Sequence, residues 1–224
     1  MSDERVRAIH AWHDAQFHTA ERNATVHTTF FDREFVVPPD VHPPTGVSDM
    51  LATAVLTEVR ESDRVLDMGT GSGVNAILAA AKSATVVAVD VNPAAVECAR
   101  QNAERNAVAE RIAVHESDVF ESVDGRFDLV IFDPPFRWFA PRDLRERATA
   151  DENYATLTTF FGEVADHLTE HGRVLVFFGT SGDLAYLQHL MRTAGFVVET
   201  LSTRDLNRDG QTVSYYTYRL TLPR

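Results

Sequence analysis

The sequence predicts an α/β protein built on a mostly parallel sheet with one antiparallel strand. Three observations carry this reading. From residue 64 onward, short apolar runs alternate with helical patterns, as in repeated βα units. A glycine-rich turn, Gly69-Thr70-Gly71-Ser72-Gly73, joins the first of these strands to its helix. The chain ends on two β runs, Phe196–Thr203 and Thr212–Leu222, joined by the polar loop NRDGQ around Asp209–Gly210. With no helix between them they form an antiparallel hairpin.

The elements follow in order. Val6, Ile9, Trp12, His13, Phe17 and Ala20 recur at helical spacing, so residues 3–17 are expected to be helical. Thr25–Phe31 and Glu34–Val37 read as a hairpin turning at Asp32–Arg33. Pro38–Gly46, PPDVHPPTG, holds four prolines and a glycine and must be a loop. Ser48 is placed to cap a helix from Asp49 to about Val59. Arg64–Asp67 is a strand, and Val74–Lys82 its helix. Thr85–Val91 is a run dominated by β-branched residues, as expected for a strand covered on both faces. Asn92–Pro93 supplies an N-cap followed by proline in the first turn of a helix to about Asn106. Strands are expected at Arg111–His115, Phe127–Phe132 and Arg173–Phe178, and helices at Asn153–Leu168 and Gly182–Thr193.

The 224 residues suit one large domain with an appendage: residues 1–47 form an N-terminal helix, hairpin and proline-rich loop, and residues 48–224 the main domain. Such a chain buries a core without disulfide or metal staples. Hydrophobic residues are 44% and charged residues 24%, ordinary for a soluble domain. No apolar run approaches the ~18–20 residues of a membrane span, and the charged N-terminus is no secretory signal. Cys98 stands alone, so neither an intrachain disulfide nor a cysteine zinc site is expected, and a cytoplasmic location is the default. The net charge is −12, and Lys82 is the one lysine among 21 cations. That balance favours a small-molecule or protein substrate over nucleic acid, whose phosphates call for a basic face.

Three acids mark the tips of consecutive strands, where open α/β sheets bind ligands. Asp67 precedes the first glycine and would attract a cationic amine. Asp90, 23 residues on, can accept hydrogen bonds from both hydroxyls of a ribose. Asp118 can accept one from an adenine amino group. Each alone reads equally well as a turn former; together they are hard to explain as coincidence.

The motifs VLDMGTGSG, VVAVDVNP, ESDVF and FDLVIFDPPF resemble, in order and spacing, the class I S-adenosylmethionine-dependent methyltransferases, over about residues 48–222. The resemblance implies a Rossmann-like methyltransferase fold: a doubly wound seven-stranded sheet of order 3-2-1-4-5-7-6, strand 7 antiparallel. It implies S-adenosyl-L-methionine as cofactor and S-adenosyl-L-homocysteine as product. The cofactor would be held by Asp67, Gly69, Thr70, Gly71, Gly73, Asp90, Val91, Asp118 and Val119. Thr45, in the proline-rich loop, is a further candidate cofactor contact.

Asp133-Pro134-Pro135-Phe136 is similar to the (Asn/Asp)-Pro-Pro-(Tyr/Phe) motif of amino methyltransferases, and the closest likeness is to the small methyltransferase domain. The two prolines hold a rigid loop. The Asp133 carboxylate and Pro134 carbonyl can both accept from one NH2 group, and Phe136 offers a π face to a planar substrate or to the sulfonium. The same residues in isolation read as a strand end and a turn. Aspartate at the first position, with Arg137 following, resembles an rRNA guanine-N2 subgroup, whereas glutamine and adenine enzymes usually carry asparagine. His42, Arg137 and Trp138 are candidate substrate contacts; Trp138 and Phe139 equally suit a packed loop. Arg142–Arg147, RDLRER, reads as a solvated helix that could also touch an anionic substrate, and Cys98 as inert. His10 and His13 lack a partner at metal-ligand spacing, so no metal is expected.

The function expected is methyl transfer to a nitrogen of a small molecule or protein side chain. The alternatives are an rRNA or tRNA base methyltransferase, a non-methylating enzyme using the same cofactor, and a non-catalytic cofactor-binding module.

Overall fold

The computed structural model describes residues 3–17, 23–208 and 211–223. Helix α1 (Asp3–Phe17) comes first, then β1 (Val26–Phe30) and β2 (Arg33–Val37) as an antiparallel hairpin. The main body runs α2 (Ser48–Glu58), β3 (Arg64–Met68), α3 (Val74–Ala79), β4 (Thr85–Asp90), α4 (Pro93–Arg105), β5 (Ile112–Glu116) and β6 (Phe127–Phe132). It continues through α5 (Ala155–Glu163), β7 (Leu168–Gly179), α6 (Leu184–Thr193), β8 (Val197–Arg208) and β9 (Gln211–Thr221). Asp209 and Gly210, where the terminal hairpin was expected to turn, lie outside the described residues.

The seven-stranded sheet has the order β5-β4-β3-β6-β7-β9-β8. Counted from β3, this is the expected 3-2-1-4-5-7-6. β9 alone runs against its neighbours, antiparallel to both β7 and β8. Successive strand residues feed opposite faces. Val65, Leu129 and Ile131 pack against α2, α3 and α4 on one face. Leu66, Val130 and Phe132 pack against α5 and α6 on the other. That double burial is why the central strands are continuously apolar.

The β1–β2 hairpin is fastened to α4 by two asparagines one helical turn apart. Asn102 pairs with the N–H and carbonyl of Val36, and Asn106 with those of Glu34. The side-chain amides take up backbone groups that an edge strand would otherwise leave to solvent.

Local chemistry shifted several boundaries. Ser48 does not cap α2: Val47 holds the N-cap position without a side-chain bond, and Ser48 Oγ instead accepts the Thr45 N–H at 2.9 Å. The helix expected over 153–168 is broken. Asn153 and Tyr154 take left-handed backbone, φ 54° and 57°, and the Asp151 carboxylate accepts the N–H groups of Thr156 and Leu157, so regular helix starts at Ala155. Residues 142–147 are not a solvated helix, because Glu146 is buried and its carboxylate bonds Arg142 and His13. Asn92 caps α4 as expected, its Oδ1 accepting from the Ala94 N–H.

Candidate active site

A cleft of about 1040 Å³ opens over the C-terminal tips of β3, β4, β5 and β6. The glycine loop forms one wall. At Gly71 (φ 54°) a Cβ would meet no atom within 4 Å, and the residue lines the cleft, so a side chain would enter the space a ligand needs. Gly73 (φ 85°) serves another purpose. Its Cβ would lie 3.1 Å from Ala99 Cα, so glycine here lets α3 approach α4, and Gly73 does not line the cleft.

Asp67 is 1% exposed and also stands behind the wall. Its Oδ2 accepts from Thr70 Oγ1 at 2.6 Å and from the Ala76 N–H at 3.1 Å. It therefore shapes the loop rather than lying open to a cationic amine, which corrects the simple strand-tip expectation. Burial pushes its carboxyl up to about 7, against the pull of those two bonds. Asp90 lines the cleft, and its carboxylate accepts the N–H groups of Gly71 and Asn92, both at 2.9 Å. Each oxygen can accept a further bond. Burial raises its pKa, and the backbone bonds offset part of the rise. Gly69, Thr70, Val91, Asp118 and Val119 also line the cleft. Val119 sits at φ 49°, a strained conformation for a β-branched residue. Ser117 secures that turn, donating to the Val119 carbonyl and accepting the Ser122 N–H.

Asp133, Pro134, Pro135 and Phe136 follow β6 directly into the cleft. Burial, then the nearby Asp67 carboxylate, pushes Asp133 up to about 7. The Phe136 ring lies against Phe177, Phe178 and Tyr215. Thr45, His42 and Arg137 line the cleft. Arg137 is 5% exposed and lies over the Trp12 ring at 4.5 Å. Trp138 does not line the cleft; it packs edge-on to Phe139 and to His10. Its expected substrate contact gives way to packing, because α1 covers this segment.

Several residues at the site were named from the sequence without a role there. Helix α1, whose Trp12 and His13 line the cleft, is pinned there by His13 Nε2 to Glu146 Oε1 at 2.7 Å, by Arg142 to Asp14 at 2.9 Å, and by His10 stacked on Phe139 at 3.7 Å. Burial raises the Glu146 carboxyl, but bonds from Arg142 and His13 outweigh it and hold the group at about 2. Arg147 reaches Asp118 at 3.4 Å, so segment 140–150 runs along the cleft from α1 to the β5 tip. An S/T-rich or glycine signal would have flagged such a strap; RDLRER offered only mixed charge.

These groups fit an adenosyl sulfonium. Asp90 retains acceptor capacity beside Gly69 and Gly71, where no Cβ intrudes, and Asp133 lines the same cleft. Two results are expected. Asp90→Ala should weaken S-adenosylhomocysteine binding by ~1.5–3 kcal/mol, read by calorimetric titration. Unchanged affinity would remove Asp90 from the site. The second concerns pH. Asp67 and Asp133 rise from the ordinary 3.8 to about 7 on folding, so between these values the folded state keeps protons the unfolded chain has released. The unliganded protein should lose stability as pH rises through this window and level off above about 7. Asp67→Asn should flatten the fall, measured as thermal midpoints across the range; an unaltered profile would contradict it.

Comparison with known proteins agrees with the geometry. The family model described as methyltransferase small domain matches residues 45–201. A Methanocaldococcus jannaschii protein, provisionally named a protein N5-glutamine methyltransferase, is 33% identical over 171 residues, 72% of this chain and 83% of the relative. A ribosomal protein L11 methyltransferase of Exiguobacterium sp. is 47% identical over 79 residues, but the match spans only 35% of this chain and 25% of that relative. Among solved structures, a tRNA methyltransferase of M. jannaschii superposes with TM-score 0.66 at 19% identity, over 89% of this chain and 57% of that one. A ribosomal protein L11 methylase of Lactobacillus delbrueckii subsp. bulgaricus gives TM-score 0.59 at 19% identity, over 81% and 82%. At such identities the structural likeness speaks for the fold. The family match, the relative covered over most of its length and the sheet order converge: the chain belongs to the methyltransferase small-domain family and is a class I S-adenosylmethionine-dependent methyltransferase.

Proposed function

We propose that this chain methylates a side-chain nitrogen of a protein, with the cofactor held by Gly69, Thr70, Gly71, Asp90, Val91, Asp118 and Val119. Thr45 closes on the cofactor from the proline-rich loop. The observation that carries the reading is the Asp133–Phe136 loop entering the same cleft as the glycine turn. When bound, the cofactor supplies an electrophilic methyl group. The Asp133 carboxylate and Pro134 carbonyl then accept hydrogen bonds from one nitrogen and aim its lone pair, so that much of the catalysis is positioning. With its pKa near 7, Asp133 can also take up the proton released. Phe136 covers the planar acceptor group, and His42 and Arg137 border it. Residues 1–47 act as the lid appendage through α1 and the proline-rich loop.

A protein acceptor is favoured over nucleic acid by the pairing of cations around the cleft. Arg147, which lines the cleft, is bound to Asp118, and outside the lining Arg142 is bound to Glu146 and Asp14 and Arg204 to Asp49. Arginines already neutralised by carboxylates offer little to phosphates. The M. jannaschii relative's name, a protein glutamine methyltransferase, agrees with this substrate class.

The test is tritium transfer from labelled S-adenosylmethionine to a ribosomal-protein fraction, to protein-free ribosomal RNA and to tRNA. Label in protein, released on digestion as an N-methylated side chain, is the expected result. Label confined to RNA would replace the reading with base methylation. Among the described residues no helix is long and apolar enough to cross a membrane; a cytoplasmic site of action belongs to the same proposal.

A further inference from the structure

The Asp133–Phe136 loop is short of donors. Pro134 and Pro135 carry no N–H, so this stretch cannot tie itself down by donating and must be fixed through its carbonyls. The Phe136 carbonyl is fixed by a side chain: the Tyr154 hydroxyl donates to it at 2.9 Å. The same hydroxyl oxygen accepts the Asp183 N–H at 2.6 Å. One phenol thus joins the loop to the N-cap of α6.

Everything around Tyr154 serves to hold that phenol in place. It is 6% exposed and its ring stacks on Tyr186 at 5.3 Å. Thr158 Oγ1 donates to its carbonyl at 2.6 Å. Its left-handed backbone, shared with Asn153, is unfavourable for an aromatic residue and persists where the surroundings over-determine it. An unbroken helix through these two residues would point the ring elsewhere. On another side of the same carbonyl stands Gly182, where a Cβ would overlap the Phe136 oxygen and lie 2.8 Å from the Phe178 ring. Burial pushes the Tyr154 pKa upward, so the phenol stays a donor throughout the working pH range.

We propose that Tyr154 is a positioning residue for methyl transfer: its hydroxyl fixes the Phe136 carbonyl and thereby the register of the Asp133 and Pro134 acceptors. This rests on reading the loop as the acceptor clamp. It adds a residue outside the motif, beyond segment 140–150 in the sequence.

The test uses the full chain as Tyr154→Phe, which removes one oxygen, and Gly182→Ala, which crowds the same carbonyl from another side. Hydrogen exchange read by mass spectrometry should quicken about tenfold over residues 132–139 in both variants, with α5 unchanged. S-adenosylhomocysteine should bind as in the wild type. With a glutamine-containing peptide and tritiated S-adenosylmethionine, Tyr154→Phe should lower kcat about tenfold and leave KM nearly unchanged. Wild-type exchange over 132–139 in Tyr154→Phe would overturn the proposal. So would faster exchange spread equally through α5 and α6, which marks a merely structural tyrosine. If the wild type fails to label the peptide, the acceptor assignment falls, while the exchange result still decides the role of Tyr154.

Discussion

Replacing Asp133 with alanine is expected to remove ~2–4 kcal/mol of transition-state stabilisation, comparable to losing one preorganised polar group. That corresponds to a fall of roughly 30- to 900-fold in kcat/KM on the protein fraction the wild type labels. Asp133→Asn separates two roles. If the side chain only accepts hydrogen bonds from a neutral NH2, asparagine retains an acceptor oxygen and most of the activity. If it pairs with a cationic amine or takes its proton, asparagine should be nearly as damaging as alanine at neutral pH and recover at higher pH, where the free amine dominates. The second outcome is expected, because a carboxyl held at about 7 by burial and by Asp67 is poised to exchange a proton. Both variants should bind S-adenosylhomocysteine with near wild-type affinity, since Asp133 serves the acceptor. A fully active Asp133→Ala enzyme would reduce the loop to a turn.

Phe160→Ala should be the most destabilising of the variants considered, by ~3–5 kcal/mol, through lost burial and the cavity left behind. Phe160 is fully buried and packs on Phe132 at 4.1 Å, Phe161 at 5.3 Å and Phe120 at 5.6 Å. For a domain of this size the thermal midpoint should fall by about 6–20 °C in scanning calorimetry. Phe132 immediately precedes Asp133, so the cavity should also loosen the loop above it. A fall of less than about 2 °C would mean that the aromatic stack does not carry the α5 face of the sheet.

The sheet was legible because its central strands are buried on both faces and read as unbroken apolar runs, and because α4 opens on a recognisable pair, Asn92 before Pro93. The ligand-facing acids were legible for a related reason: polar residues stand out at the tips of apolar strands. What stayed hidden depends on contacts between segments far apart in sequence. Glu146 reads as one charge in a mixed run, and only the docking of α1 brings His13 to it across 133 residues. Asn102 lies unremarked within α4, yet it is fully buried and bonds both Val36 and the Ser72 carbonyl, tying the hairpin to the glycine loop. The break at Asn153–Tyr154 is likewise set by tertiary bonds to Phe136 and Asp183, which override a helical pattern. Ser48 misled because a good capping residue can serve a neighbouring loop as readily as a helix.

The most direct measurement is a crystal structure with S-adenosylhomocysteine bound. The ribose hydroxyls should lie within hydrogen-bond reach of Asp90, the adenine beside Asp118 and Val119, and the sulfur should face the opening bordered by Asp133 and Pro134. A ligand seated away from the glycine loop, or a sulfur facing away from Asp133, would contradict the assignment of this cleft to nitrogen methylation.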